Sequence, residues 1–116
     1  MRRHTDKPVQ VMFAEPKILA AYEKLRESRY TEDRALFAQI DEALDELKKD
    51  PFCGIEIPKK LIPREYIRRY EVNNLWKYDL RDGWRLVYTN AEDEVKILAV
   101  VLEWFDHSNY EKRFGY

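Results

Sequence analysis

Apolar side chains recur at the spacing of an α-helix in two neighbouring stretches near the start of the chain. Pro16 suits the first turn of the first stretch, and Thr31 can cap the second, which closes on Lys48-Lys49. Because the connection between them is short, the two amphipathic helices are expected to pack as an antiparallel hairpin, and each needs a further surface for the rest of its apolar face. The helix-spaced positions are Ile18, Tyr22 and Leu25 in the first stretch and Leu36, Ile40, Leu44 and Leu47 in the second.

Strand patterns flank this hairpin on both sides. Val9 to Phe13 alternates in part and predicts a short first strand. Further along, the segments Leu75 to Leu80, Trp84 to Thr89 and Glu94 to Phe105 predict a meander of three antiparallel strands. The last segment is apolar on both faces at its centre, as expected for a strand that lies inside the sheet.

The turn within the meander decides which side chains share a face. A two-residue Asp82-Gly83 turn would mix charged and aromatic side chains, whereas a three-residue loop with a left-handed Gly83 separates them. The three-residue loop therefore predicts aromatic pairs, such as Trp76 opposite Tyr88, on the face that the helices cover. It also places Asp79 opposite Arg85 on the other face, so that Arg85 points outward beside a carboxylate.

The remaining segments complete the predicted architecture. Residues 51–74 contain prolines that break regular structure and are predicted as a loop with a short helix at about Arg64 to Tyr70. At the other end of the chain, Asp106 can cap a short helix that reaches Phe114. The chain 1–116 is thus predicted as a single small α+β domain, with an N-terminal strand, a helix hairpin, a three-strand meander and a short C-terminal helix, and about four strands in its sheet.

Composition and charge narrow the functional classes. The 116 residues carry 21 basic and 22 acidic side chains, so no global charge draws the chain to nucleic acid or to an anionic membrane. From Glu56 to Tyr88, eight basic and five acidic side chains give +3, while Glu15 to Asp50 has seven and ten and gives −3. A basic working region beside acidic helices is one interpretation, and ordinary solvated charge is the other. The lone Cys53 fits a reducing compartment, and no apolar run could span a bilayer, so a cytoplasmic protein is expected.

Two segments of this chain together resemble a known family, the RelE/ParE superfamily of type II toxin-antitoxin toxins. They are the string Gly83-Trp84-Arg85-Leu86-Val87-Tyr88 and the strand that runs into His107 and Tyr110. They follow a helix hairpin from Pro16 to Lys49, in an order of elements similar to that of the family. The resemblance implies a RelE-like fold and, in the RNA-cleaving branch, a ribonuclease that cuts messenger RNA, often on the ribosome, and is blocked by a cognate antitoxin.

The resemblance also implies a reaction and roles for individual residues. A ribose 2′-hydroxyl attacks the adjacent phosphate, with no metal or other cofactor. Arg85 stands where the family carries its strand arginine, which implies phosphate binding and stabilisation of transition-state charge. His107 stands where the family often has its proton-transfer residue, and Tyr110 and Glu103 are further candidates. The other expected contacts are with the RNA backbone through Lys59, Lys60 and Lys77, and with a base through Trp104 or Tyr116.

Alternatives stay open at these positions. Arg85 could serve only to pair with Asp79, and His107 could simply border the terminal helix. The chain could instead be a gyrase-directed, ParE-like toxin without nuclease chemistry, or a degenerate toxin fold retained as an interaction domain. His4 has no other ligand type near it in the sequence, so no metal site is expected.

Overall fold

The computed structural model describes residues 7–115 of the chain. The strands in this range are β1 (Val9–Phe13), β2 (Ile55–Glu56), β3 (Trp76–Asp79), β4 (Arg85–Glu92) and β5 (Ile97–Phe105). The helices are α1 (Pro16–Glu27), α2 (Thr31–Lys49), α3 (Arg64–Tyr70) and α4 (His107–Phe114), with short 3₁₀ turns at Lys59–Leu61 and Arg81–Gly83.

One mixed sheet organises these elements, in the order β1-β5-β4-β3-β2. The predicted meander is confirmed, since β3, β4 and β5 pair antiparallel in sequence order. β1 lies at one edge and runs parallel to β5, with Val9 beside Ile97 and Phe13 beside Val101. The predicted arrangement was incomplete, because it lacked β2, a two-residue strand that pairs with β3 at the opposite edge. Two exposed residues are too few to show an alternating pattern, so the sequence offers no period to detect.

The predicted register of the meander is confirmed. Trp76 lies opposite Tyr88, and Asp79 lies opposite Arg85. Gly83 is left-handed as predicted, with φ of 79°, and Asp82 adopts a left-handed conformation as well, with φ of 58°. Aspartate is one of the few residues other than glycine that tolerates this region, because its short side chain bonds locally.

The helix hairpin α1–α2 covers one face of the sheet, which we call the hairpin face. Residues from α2, β4 and β5 form its fully buried core. These residues are Leu36, Ile40, Ala43, Leu47, Leu86, Tyr88, Ala99 and Val101. Thr31 was predicted to cap α2, but it is the first helical residue, and the preceding Tyr30 occupies the cap position without a side-chain cap bond.

The opposite face of the sheet is covered by α3, α4 and the segment that leads into α3, and we call it the site face. A second buried cluster lies there. Its members are Ile57, Ile62, Tyr66, Leu75, Val87, Leu102, Phe105 and Tyr110. The meander is therefore buried on both sides. Polar side chains of the site face can reach solvent only at the edges of the layer formed by α3, α4 and the segment before α3.

Glu15 joins the start of α1 to α3 across the edge of the sheet. Its carboxylate accepts a hydrogen bond from Arg69 Nη2 at 2.9 Å and a second one from the Tyr70 hydroxyl. The hydrogen bonds from Arg69 and Tyr70 lower the pKa of Glu15 below its ordinary value of 4.5. The ionised carboxylate is therefore the form that the folded protein prefers.

We expect Glu15→Gln to destabilise the protein at pH 7 and to have a smaller effect at pH 3. A carboxyl whose pKa is depressed by folding adds stability above its unfolded pKa, and this contribution is lost as the pH falls through the lower, folded value. Urea unfolding at both pH values measures the difference, with Glu23→Gln on the exposed side of α1 as the control. An equal loss at both pH values would show that the charge of Glu15 contributes nothing.

Candidate active site

Arg85 lies at the start of β4 on the site face and makes three polar contacts. Its Nη1 donates to the Gly83 carbonyl at 2.6 Å and to the Trp84 carbonyl at 3.5 Å, and its Nε lies 3.0 Å from Asp79 Oδ1. The same Asp79 oxygen accepts a hydrogen bond from Lys77 Nζ at 3.2 Å. One carboxylate oxygen thus stands between two cations that come from neighbouring strands.

The Arg85–Asp79 contact neutralises charge, but it leaves the Nε–H of the guanidinium without a well-aligned hydrogen bond. Nε is buried, and no acceptor in residues 7–115 is aligned with its N–H as a hydrogen bond, although Asp79 Oδ1 lies within ion-pair distance. A buried donor without an aligned acceptor is costly, and a bound ligand or water is one way in which such a donor is satisfied. The geometry therefore leaves the Nε–H of Arg85 able to donate a hydrogen bond to a new acceptor oxygen.

Tyr110 packs against both cations. The Arg85 guanidinium carbon lies 5.4 Å from the centre of the Tyr110 ring, and Lys77 Nζ lies 5.6 Å from it. The ring is only 3% exposed and stands edge-on to Phe105. Tyr110 is thus a buried aromatic support for the cations. The predicted face of Arg85 and its pairing with Asp79 are confirmed, but α4 covers this face and leaves only 18% of the Arg85 side chain exposed.

His107 is the first residue of α4 and lies beside the turn that binds Arg85. Asp106 caps the helix by accepting the backbone N–H of Asn109 at 2.9 Å, which confirms the predicted cap. A methyl group at Gly83 would lie 3.2 Å from His107 Cβ, so His107 packs directly against the residue whose carbonyl holds Arg85. The imidazole is 62% exposed, and its Nε2 lies 2.6 Å from Glu111 Oε1, one helical turn further on.

Glu103 lies on the site face, but its carboxylate is bound away from Arg85. It accepts hydrogen bonds from the Tyr66 hydroxyl at 2.5 Å and from Arg113 Nη2 at 3.1 Å, and Arg113 also pairs with Glu65. Burial raises the pKa of the Tyr66 phenol, and the hydrogen bond to Glu103 raises it further. These groups line a cleft of about 300 Å³ between α1, α3 and the end of β5, which is separate from the Arg85 cluster.

Comparison with known proteins identifies the family. The model for the YoeB-like toxin of bacterial type II toxin-antitoxin systems matches residues 20–103 of the chain. The chain belongs to this family. Among similar proteins are "Toxin YoeB" of Mycobacterium bovis and "Toxin RelK" of Mycobacterium tuberculosis, each 33% identical over 66 residues, which is 57% of this chain and 69% of the relative. No solved structure matches.

The match confirms that the protein is the toxin of a type II toxin-antitoxin system, and it narrows the RelE/ParE resemblance to the YoeB-like family. A toxin of this kind implies an antitoxin as its partner. The matched range contains Arg85 and Glu103 but stops before α4. The family match therefore says nothing about His107 and Tyr110, whose roles are argued from the geometry of the fold.

The other predicted site residues of this YoeB-like toxin lie in different places. Lys77 joins the Arg85 cluster, whereas Trp104 does not, because it aligns with Leu86 and packs on the hairpin face. Lys59 and Lys60 are exposed on the 3₁₀ turn before α3. Tyr116 and His4 lie outside the described residues.

Two contacts in this YoeB-like toxin were missed at the level of sequence. Glu111 stands four residues after His107, a spacing that places both on one side of a helix and could have been noticed. Arg113 reaches Glu103 from a different element, and no local spacing indicates such a contact.

Within residues 7–115, no group of three or more His, Cys, Asp or Glu side chains is placed to hold a metal ion. None of the helices in that range is long and apolar enough to cross a membrane.

Proposed function

We propose that this toxin is a metal-independent endoribonuclease that cleaves messenger RNA at the Arg85 cluster. The observation that carries the proposal is the guanidinium of Arg85, which is held by the Gly83 carbonyl, supported by Tyr110 and left with an Nε–H that lacks an aligned acceptor. A phosphate oxygen is the acceptor that suits this donor, since a guanidinium offers several N–H groups in a fixed plane.

Arg85 and Lys77 supply the positive charge that the reaction needs. Attack of the 2′-hydroxyl on phosphorus builds up negative charge on the phosphoryl oxygens, and fixed cations stabilise that charge more than they stabilise the substrate. Both side chains are mostly buried, with 18% and 19% of their side-chain surfaces exposed, so their charges act in a partly desolvated setting. Tyr110 holds the two cations in place from below.

His107 is the residue that we assign to proton transfer. Imidazole exchanges protons near neutral pH, and His107 is an exposed side chain that packs beside the turn that carries Arg85. Glu111 orients the ring through its contact with Nε2. Glu103, which we considered as an alternative base, is already held by Tyr66 and Arg113, and we assign it to joining β5 with α3 and α4.

The wider surface fits RNA as the substrate. Lys59 and Lys60 are exposed in the turn between Ile57 and Ile62, which both pack in the cluster on the site face, and we propose that the two lysines bind the RNA backbone. Translated messenger RNA on the ribosome, in the cytoplasm, is the target that we propose, with the antitoxin blocking this face. Trp104 lies on the hairpin face, and we give it no role in this cleavage site.

We expect His107→Ala to lower the rate of messenger RNA cleavage by about 10²- to 10⁴-fold, because it removes the proton-transfer group. The protein is expressed in bacteria with and without its antitoxin, and growth and messenger RNA integrity are measured together. Ser108→Ala, the adjacent exposed position on α4, serves as the matched control.

Two results would contradict this assignment. Cleavage that continues unchanged in His107→Ala would place the proton-transfer residue elsewhere. Growth arrest with intact messenger RNA and altered DNA supercoiling would instead favour a gyrase-directed toxin.

A further inference from the structure

We propose that Asp79 is an internal anion that occupies the phosphate position of the Arg85 cluster and thereby sets the affinity of this toxin for RNA. The inference rests on the proposed function, since it concerns the same RNA site. It starts from the position of one carboxylate oxygen, which lies 3.0 Å from Arg85 Nε and 3.2 Å from Lys77 Nζ.

Asp79 stands at the entrance of the cluster. Its side chain is 46% exposed, whereas Arg85 and Lys77 are each less than a fifth exposed. An incoming phosphate therefore meets the negative charge first and the two cations behind it. The carboxylate of Asp79 offsets part of the positive charge of both cations. The free site therefore has a net charge of +1, whereas the two cations alone would give +2.

Asp79 is close enough to Arg85 to form an ion pair, but it is poorly aligned to accept a hydrogen bond from Nε. The carboxylate lies within ion-pair distance of Nε, yet the Nε–H has no aligned acceptor. A phosphate oxygen that approached in line with this N–H would make the hydrogen bond that Asp79 does not make. Exchange of the carboxylate for a phosphate is thus favoured by geometry and opposed by charge.

Among residues 7–115, Asp79 is the carboxylate that pairs with Arg85 and Lys77. The other contacts of Arg85 are with the carbonyls of Gly83 and Trp84 and with the Tyr110 ring, and Lys77 contacts the same ring. Glu103 and Glu65 are paired with Arg113 in the separate cleft. Removing the charge of Asp79 should therefore act directly on the two cations of the site.

The experiment measures binding of a short single-stranded RNA whose 2′-hydroxyls are methylated, so that it cannot be cleaved. We expect Asp79→Asn to bind this RNA about threefold to tenfold more tightly than the native protein at moderate salt, because solvent screens part of the removed charge. The logarithm of the affinity should also fall more steeply with the logarithm of the salt concentration, by up to about 0.7, as for one further phosphate contact on a single strand.

Matched variants separate a local effect from a general one. Glu42→Gln removes one negative charge from the exposed side of α2, across the sheet from the cluster, and should leave binding unchanged. Asp79→Ala should give the same gain as Asp79→Asn. The gain should be smaller when Asp79→Asn is combined with Arg85→Ala, because only the contact between position 79 and Lys77 then remains.

Three outcomes would overturn the proposal. They are unchanged or weaker binding by both Asp79 variants, an equal gain in Glu42→Gln, and no binding of the RNA by any variant. The test is independent of cleavage, so loss of the nuclease assignment in the His107 experiment would leave a positive binding result standing. Conversely, a toxin that cleaves RNA but gains nothing from Asp79→Asn would refute this inference alone.

Discussion

Replacement of Arg85 by alanine is expected to lower the rate of messenger RNA cleavage by about 10²- to 10³-fold, the usual cost of removing one fixed donor from a site that stabilises developing negative charge. Arg85→Lys should recover only part of this loss, because an ammonium keeps the charge but lacks the planar set of donors. Single-turnover cleavage of a model messenger RNA by the purified toxin measures both effects.

The Arg85 experiment needs a neighbouring arginine as its control. Arg81→Ala is suitable, since Arg81 is exposed in the adjacent turn and its hydrogen bond to Gln39 Oε1 is made by the backbone N–H, which the substitution keeps. A thermal melt of each variant shows whether folding is retained. Equal cleavage by Arg85→Ala and Arg81→Ala, with both proteins folded, would exclude Arg85 from the reaction.

Replacement of Gly54 by alanine is expected to lower the free energy of unfolding by about 1–3 kcal/mol, as for other insertions into a packed site. A Cβ at this position would lie 2.5 Å from the Lys77 carbonyl oxygen and 2.6 Å from the Tyr88 hydroxyl. Neither group can move freely. The Tyr88 hydroxyl donates to the Pro51 carbonyl at 2.9 Å, and it accepts the Gly54 N–H at 3.1 Å.

Urea unfolding measures this loss, and Cys53→Ala, one residue away and half-buried, provides the comparison. Gly54→Ala should also weaken RNA binding, because the same backbone shift displaces Lys77 from Tyr110. Wild-type stability in Gly54→Ala would mean that the loop before β2 relaxes at no cost.

Much of the fold was predictable because most of its helices and strands show the spacing of apolar residues that is typical of their own type. The bounds Arg64–Tyr70 of α3 and the pairing of Trp76 with Tyr88 were both predicted, the first from a short segment after Pro63 and the second from the separation of aromatic and charged faces. β2 was missed because it is short and exposed, so its position is set by pairing with β3 and not by its own side chains.

The site was predicted in part, for a related reason. The pairing of Asp79 with Arg85 follows from strand register and was predicted. The position of Tyr110 under Arg85 depends on how α4 turns back onto the sheet, and nothing within the helix sequence specifies that angle. The same limit applies to Glu103, whose partners Tyr66 and Arg113 come from two different helices.

The parallel pairing of β1 with β5 limits how early this protein can fold during its synthesis. Val9 cannot pair with Ile97 until β5 has been synthesised, and α4, which carries His107, follows β5. Pairings between such distant segments form late in folding, because the entropy of closing the intervening chain opposes them. A nascent toxin is therefore expected to stay inactive until both β5 and α4 have left the ribosome.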